Sequence, residues 1–176
     1  MDILAHARRG GAVLGICGGY QMLGRSVADP DGVEGPAGTT PGLGLLDVAT
    51  TISGRKRLAP ATGFDRASGE AVRGYEMHMG VTAGPGRARP FLAVDGRDEG
   101  AVSADGRVLG TYLHGLFAAD GFRRSFLDRL GAPARAAARY EAAVETALDA
   151  IADGLEQALD LDALLALAGP VTPARG

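Results

Sequence analysis

One cysteine stands between glycines where a short apolar run gives way to a helix-like segment: Ala12-Val13-Leu14-Gly15-Ile16 leads into Cys17-Gly18-Gly19-Tyr20-Gln21. Residues 12–16 read as a buried strand. Gly-x-Cys-x-Gly at its end matches a nucleophile elbow, with sulfur in place of the more familiar hydroxyl. Such a turn commits the chain to strand, sharp bend and helix in immediate succession, and therefore to an α/β architecture. A side chain at Gly15 or Gly19 is expected to crowd that bend. Cys17 then stands out from the turn, and the positive end of a helix opening near Gly18 or Gly19 favours thiolate over thiol. The backbone N–H of Gly18 points where an oxyanion would develop. The bland alternative, a small buried thiol acting as a hydrophobe, fits the residue type but not the glycine bracket.

A thiol nucleophile needs a base, and the chain has three histidines. His6 lies in the polar, basic segment Ala5-His6-Ala7-Arg8-Arg9 and is read as the exposed face of a short helix. His114 ends the strand-like run 107–113 and precedes Gly115, which puts it at the C-terminal edge of a sheet, where open α/β folds gather ligands and catalytic groups. His78 ends another strand-like run, 72–77. Glu76 lies two residues before it, so alternation places both side chains on one face. Either histidine also suits a purely structural role at a strand end.

Three blocks, Gly15-Ile16-Cys17-Gly18-Gly19-Tyr20-Gln21-Met22-Leu23-Gly24, Gly74-Tyr75-Glu76-Met77-His78-Met79-Gly80 and Gly110-Thr111-Tyr112-Leu113-His114-Gly115-Leu116-Phe117, together resemble the glutamine amidotransferase domain of the cobyric acid synthases. The segments 29–35, 42–47 and 101–107 are similar as well, so the likeness covers nearly the whole chain. Two related families, the a,c-diamide synthases and the small glutaminase subunits that amidate a peptidoglycan precursor, share the cysteine and histidine blocks. The resemblance implies a flavodoxin-like class I amidotransferase fold and hydrolysis of glutamine. The ammonia would serve a synthetase site where ATP activates corrinoid carboxylates for amidation. Carried over by position, Cys17 matches the nucleophile and His114 the general base. Gln21, one helical turn past Cys17, is a candidate substrate contact beside the oxyanion donor Gly18. Glu76 is a candidate partner or substrate contact with His78.

Two departures follow from the resemblance. Many class I amidotransferases carry a glutamate two residues after the histidine to orient it, whereas this chain has Leu116 there, as the cobyric acid synthase branch also lacks that glutamate. Nothing here matches Gly-x-x-x-x-Gly-Lys-Ser/Thr either. No cofactor is therefore expected in this chain, and ATP and Mg²⁺ belong to a synthetase domain outside it. With Cys17 so near Met1, the chain is expected to be the C-terminal part of a longer protein, its amidotransferase fold incomplete at the N-terminus and lacking the second oxyanion donor.

Composition excludes other classes. A net charge of −3 with scattered basic residues argues against bulk nucleic-acid binding. A lone cysteine rules out an internal disulfide and fits a reducing compartment. No apolar run reaches spanning length and no signal-peptide pattern opens the chain, so the expected setting is the cytoplasm. Punctuation predicts a helix over 2–9, the elbow strand over 12–16 and a helix over 19–26. A loop is predicted over 29–42, lining the site mouth or mobile, with strands at 43–52, 72–79, 91–95, 100–102 and 107–113. Asp120 caps a helix that stops at Gly131. The amidotransferase domain is thus assigned to residues 1–131 and a helical C-terminal extension to 132–176. In the extension Val144, Leu148, Ile151, Leu155 and Leu159 form an apolar stripe read as packing on the domain. Asp160 or Asp162 caps a last short helix.

Overall fold

The computed structural model describes residues 2–132 and 139–168. The chain forms two units, Met1–Ala137 and Ala138–Gly176. The boundary expected after Gly131 borders 133–138, which lie outside the described residues.

In the first unit, α1 (Ile3–Arg8) is opened by Asp2, whose carboxylate accepts the Leu4 N–H at 2.9 Å. Strand β1 (Val13–Ile16) runs into α2 (Gly18–Leu23). This helix is shorter than the predicted 19–26. Gly24 is extended and the Arg25 N–H bonds the Val48 carbonyl at 2.7 Å, drawing the chain into β2 (Ser26–Asp29). The stretch predicted as a loop contains β3 (Gly38–Pro41), antiparallel to β2, with Pro41 on an outer strand where its missing N–H costs no ladder bond.

Residues 43–48, expected in a strand, are irregular. The Leu43 N–H bonds the Met22 carbonyl at 2.8 Å, and those of Leu45 and Leu46 bond the Leu23 carbonyl at 2.9 Å. They satisfy the open end of α2 instead of a ladder. The strand begins later, as β4 (Ala49–Asp65), and forms a long antiparallel ribbon with β5 (Ala71–Ala83). Buried Asp65 closes their turn, accepting from the Ser68 hydroxyl at 2.6 Å and the Ser68 N–H at 3.2 Å. Short strands β6 (Leu92–Val94), β7 (Arg97–Glu99) and β8 (Ala101–Val102) follow.

The predicted strand 107–113 divides into β9 (Val108–Thr111) and β10 (Leu113–His114), which belong to different sheets. The division has a local cause. The carboxylate of Glu99 accepts the Tyr112 N–H at 2.7 Å and the Thr111 hydroxyl accepts the Leu113 N–H at 3.0 Å, so side chains take the donors a continuous ladder would use.

One sheet has the order β1-β9-β8, with β1 and β9 parallel. The larger sheet runs β10-β5-β4-β2-β3, and β6 pairs with β4 and β7. Helix α3 (Asp120–Arg129) closes the unit. Its entry is capped by no side chain; Asp120 instead lies in the first turn and pairs with Arg123 at 2.5 Å. The architecture is α/β, as expected. One apolar core gathers Val72, Phe91, Leu92, Leu113, Phe122 and Phe126. Another gathers Tyr20, Leu23, Val48, Val108 and Tyr112 beneath the elbow. Burial of each large apolar side chain stabilises the fold by about 1.5–3 kcal/mol.

The second unit holds α4 (Tyr140–Ala158) and α5 (Leu161–Ala168). Of the two predicted caps Asp160 is the one used, its carboxylate accepting the Ala163 N–H at 3.0 Å. Within this unit the stripe from Val144 to Leu159 is uncovered.

Candidate active site

The bend at Cys17 is a true elbow. Its φ of 56° and ψ of −117° lie in a region that L residues avoid, at a cost of about 1–3 kcal/mol that surrounding structure must offset. The Cys17 N–H donates to the Thr111 carbonyl at 2.8 Å, extending the β1–β9 ladder to the bend, and its carbonyl accepts the Gln21 N–H at 3.2 Å. The two bracketing glycines are not equivalent. A Cβ at Gly15 would lie 2.6 Å from both the Gly19 carbonyl oxygen and Leu23 Cδ1, whereas one at Gly19 meets nothing within 4 Å. Crowding therefore explains Gly15; Gly19 lies over open space, contrary to expectation.

Strand β5 forms the opposite wall. The Cys17 thiol donates to the Met77 carbonyl at 3.2 Å, and the Gln21 amide nitrogen donates to the Met79 carbonyl at 3.2 Å and the Tyr112 hydroxyl at 3.3 Å. Sulfur and amide thus engage alternate carbonyls of one strand, which fixes α2 against it. Tyr112 continues the network through Thr82 at 2.6 Å to Thr50 at 2.7 Å, and its ring stacks on His78 at 3.8 Å. A cavity of about 250 Å³ opens here, lined by Cys17, Gly18, Gln21, Glu34, Met77, His78 and Met79.

His114 reaches the same part of β5 by another route. Strand β10 pairs His114 with Tyr75 and Leu113 with Glu76, directly beside the Met77 carbonyl that holds the thiol. A Cβ at Gly74 would lie 1.8 Å from the His114 carbonyl oxygen, so this approach requires glycine, and Gly115 at φ 79° turns the chain away. The imidazole stacks on Tyr75 at 5.0 Å, and its Nε2 is buried without a hydrogen-bond partner. His78 lines the Cys17 cavity and His114 does not. His6 is engaged structurally, its Nε2 3.0 Å from the Ala12 carbonyl.

Glu76 and His78 share a face, as alternation predicts, but Glu76 lies outside the Cys17 cavity. It lines an adjoining space of about 160 Å³ together with His78, Arg97, Glu99, Tyr20 and Tyr112, and it pairs with Arg97 while 1% exposed. Burial pushes the Glu99 carboxyl above the usual carboxylate range, against hydrogen bonds from Thr111 and Tyr112 that pull it down. Burial, and then the Glu99 charge, likewise raise the Tyr20 hydroxyl, which is buried without a hydrogen-bond partner. Glu34, Tyr112 and the Met77 and Met79 carbonyls are the members that sequence reading missed. Tyr112 stood two residues from His114, but nothing local joined it to Gln21. A larger cavity, about 770 Å³, lies at the opposite end of β1 and β9 and holds neither cysteine nor histidine. Size does not mark the site. Among the described residues no group of three or more His, Cys, Asp or Glu is arranged for a metal ion, and no helix is long and apolar enough to cross a membrane.

Residues 1–122 match the family model of the CobB/CobQ-like glutamine amidotransferase domain. The chain belongs to this family. Cobyric acid synthase from Cereibacter sphaeroides is 62% identical over 168 residues, and the match covers 96% of this chain but 35% of that protein. Cobyric acid synthases from Rhodobacter capsulatus and Bradyrhizobium diazoefficiens are 62% and 59% identical, with the same coverage. The amidotransferase chain thus spans about a third of the length of these relatives. A solved glutamine amidotransferase crystal structure is 17% identical, covering 73% of this chain and 66% of its own, with a TM-score of 0.47. The chain is a domain of the glutamine amidotransferase class of enzymes.

Proposed function

We propose that this domain is the glutaminase part of a cobyric acid synthase, supplying ammonia in the cytoplasm for ATP-dependent amidation of corrinoid side-chain carboxylates in cobalamin biosynthesis. The observation that carries the reading is Cys17, strained into the elbow at the mouth of a cavity walled by β5. In this scheme His114 takes the thiol proton and the sulfur bonds to the carboxamide carbon of glutamine. The electron pair moves to oxygen, facing the Gly18 N–H. Collapse to the thioester expels ammonia with the proton returned by His114. Water then cleaves the thioester, giving glutamate and the free thiol. The scheme assigns ATP and Mg²⁺ to a synthetase part, since nothing in this sequence matches Gly-x-x-x-x-Gly-Lys-Ser/Thr and the relatives' greater length leaves room for such a part.

A diazo-ketone analogue of glutamine should alkylate Cys17, as mass spectrometry would report, and Cys17→Ala should abolish glutaminase turnover in the assembly with its synthetase part. Full turnover in that variant refutes the assignment. The presence of His78 in the cavity favours a second reading of the base alone. His114→Ala should lower the rate by about 10²–10⁴, and a larger loss in His78→Ala would transfer the role. Amidation of a cell-wall precursor rather than a corrinoid would redirect the acceptor while keeping the glutaminase chemistry. A domain that docks to the synthetase part without turnover would reject that chemistry.

A further inference from the structure

We infer that Tyr75 is the positioning residue for His114, its ring lying flat against the imidazole where a nucleophile and its base call for a third, orienting group. The inference rests on the glutaminase reading with His114 as base, and deepens it. The His114 Nε2 is buried without a hydrogen-bond partner, and the ring instead stacks on Tyr75 with centroids 5.0 Å apart and planes inclined by only 5°. A third group is commonly a carboxylate, and neither neighbouring position supplies one. Leu116, two residues on, is 1% exposed in the apolar core. Glu76, which follows Tyr75, pairs with Arg97 and by alternation faces the other side of β5.

The backbone sets this stack before any substrate arrives. His114 and Tyr75 stand directly opposite each other in the antiparallel β10–β5 pair, the relation in which cross-strand side chains meet. Tyr75 and Met77 alternate onto one face of β5, and Met77 lines the Cys17 cavity, so the stack stands on the face that leads to the cavity wall. An aromatic face can orient an imidazole without a charge. Turning the imidazole about its own side-chain bond would break the parallel contact, so the ring is held in one plane. When His114 takes the thiol proton it becomes a cation, which the negative face of the Tyr75 ring favours over the neutral imidazole. That second effect exists only once the proton has moved, so it belongs to the transition state rather than to substrate binding. Tyr75 is itself 43% exposed, so truncating it opens no hole in the core.

The test measures glutamine turnover by the chain assembled with its synthetase part, in variants at position 75. Tyr75→Ala should lower kcat about tenfold with KM unchanged. Tyr75→Phe keeps the ring and loses the hydroxyl, and should hold kcat within about twofold of the natural value. Tyr75→Leu keeps bulk and loses the π face, and should fall as far as the alanine variant. In His114→Ala, adding Tyr75→Ala should cost no more than about twofold further, because the group that Tyr75 positions is already gone. Natural kcat in Tyr75→Ala or Tyr75→Leu, a loss in Tyr75→Phe as deep as in Tyr75→Ala, or the full loss again in the double variant overturns the inference and leaves the glutaminase reading standing. A rise in KM at constant kcat overturns it too, since Tyr75 would then be a binding group. Natural turnover in His114→Ala removes the base assignment and this inference together, while leaving that of Cys17 in place. No glutamine hydrolysis by the natural assembly overturns the glutaminase reading itself, and this inference with it.

Discussion

Two glycines flank Cys17 at equal distance in sequence, and the structure predicts opposite consequences for replacing them with alanine. At Gly15 the new methyl would sit 2.6 Å from the Gly19 carbonyl oxygen and 2.7 Å from its carbon. These are backbone atoms of α2, so relief requires the helix to move. Leu23, the other neighbour at 2.6 Å, is 2% exposed and has little room to turn aside. Overpacking of this kind costs about 1–3 kcal/mol. At Gly19 the methyl would meet nothing within 4 Å and the backbone is helical. Reduced freedom of the unfolded chain then stabilises by about 0.4–1 kcal/mol. At about 2–4 °C per kcal/mol for a chain of this size, Gly15→Ala should lower the melting temperature by about 2–12 °C and Gly19→Ala should raise it by about 1–4 °C. Calorimetry measures both, and iodoacetamide labelling reports whether the elbow has shifted. A Gly15→Ala protein that melts at or above the natural temperature, or a Gly19→Ala protein that melts well below it, would refute the packing argument.

Two further outcomes follow from the same geometry. Gly74→Ala would place a methyl 1.8 Å from the His114 carbonyl oxygen, so β10 should detach from β5 and turnover should fall with it; unchanged turnover would show that the β10–β5 pairing does not position the histidine. The carboxyl of Glu99 is raised in the folded state, so its protonated form is favoured there and the stability it contributes is lost as pH climbs through the raised value. Asp29 and Asp105 are lowered, chiefly by hydrogen bonds, and act in the opposite sense at more acid pH. The melting-temperature gap between Glu99→Gln and the natural chain should therefore widen in the variant's favour as pH rises beyond the ordinary carboxylate range, and a gap independent of pH would contradict the assignment.

Elements governed by neighbours in sequence were legible from the residues alone. The strand into Cys17, the helix near the N-terminus, the cap at Asp160 and the helix that carries the stripe to Leu159 each depend on contacts within a few positions. The misread strands share one cause, a distant partner. Residues 43–48 spend their N–H groups on the end of α2, and the run 107–113 divides where Glu99 and Thr111 take the donors of Tyr112 and Leu113. Strand β4 runs on through Pro60 and Gly63, residues that usually interrupt a strand, because β5 and β6 pair along it, whereas Gly54 falls where the β4–β5 register shifts between Thr51 and Lys56.

The candidate site divides along the same line. The sequence by itself determined the elbow and the residue types for thiol chemistry, because a bend at a cysteine between glycines is a local property. Only tertiary structure decided that β5 carbonyls hold Cys17 and Gln21, that Glu76 turns to Arg97 in a neighbouring space and that Glu34 stands on the cavity wall. Hydrogen bonds and ion pairs act over a few ångströms, and those separations across 58 or 60 residues exist only once the ribbon has folded against the elbow.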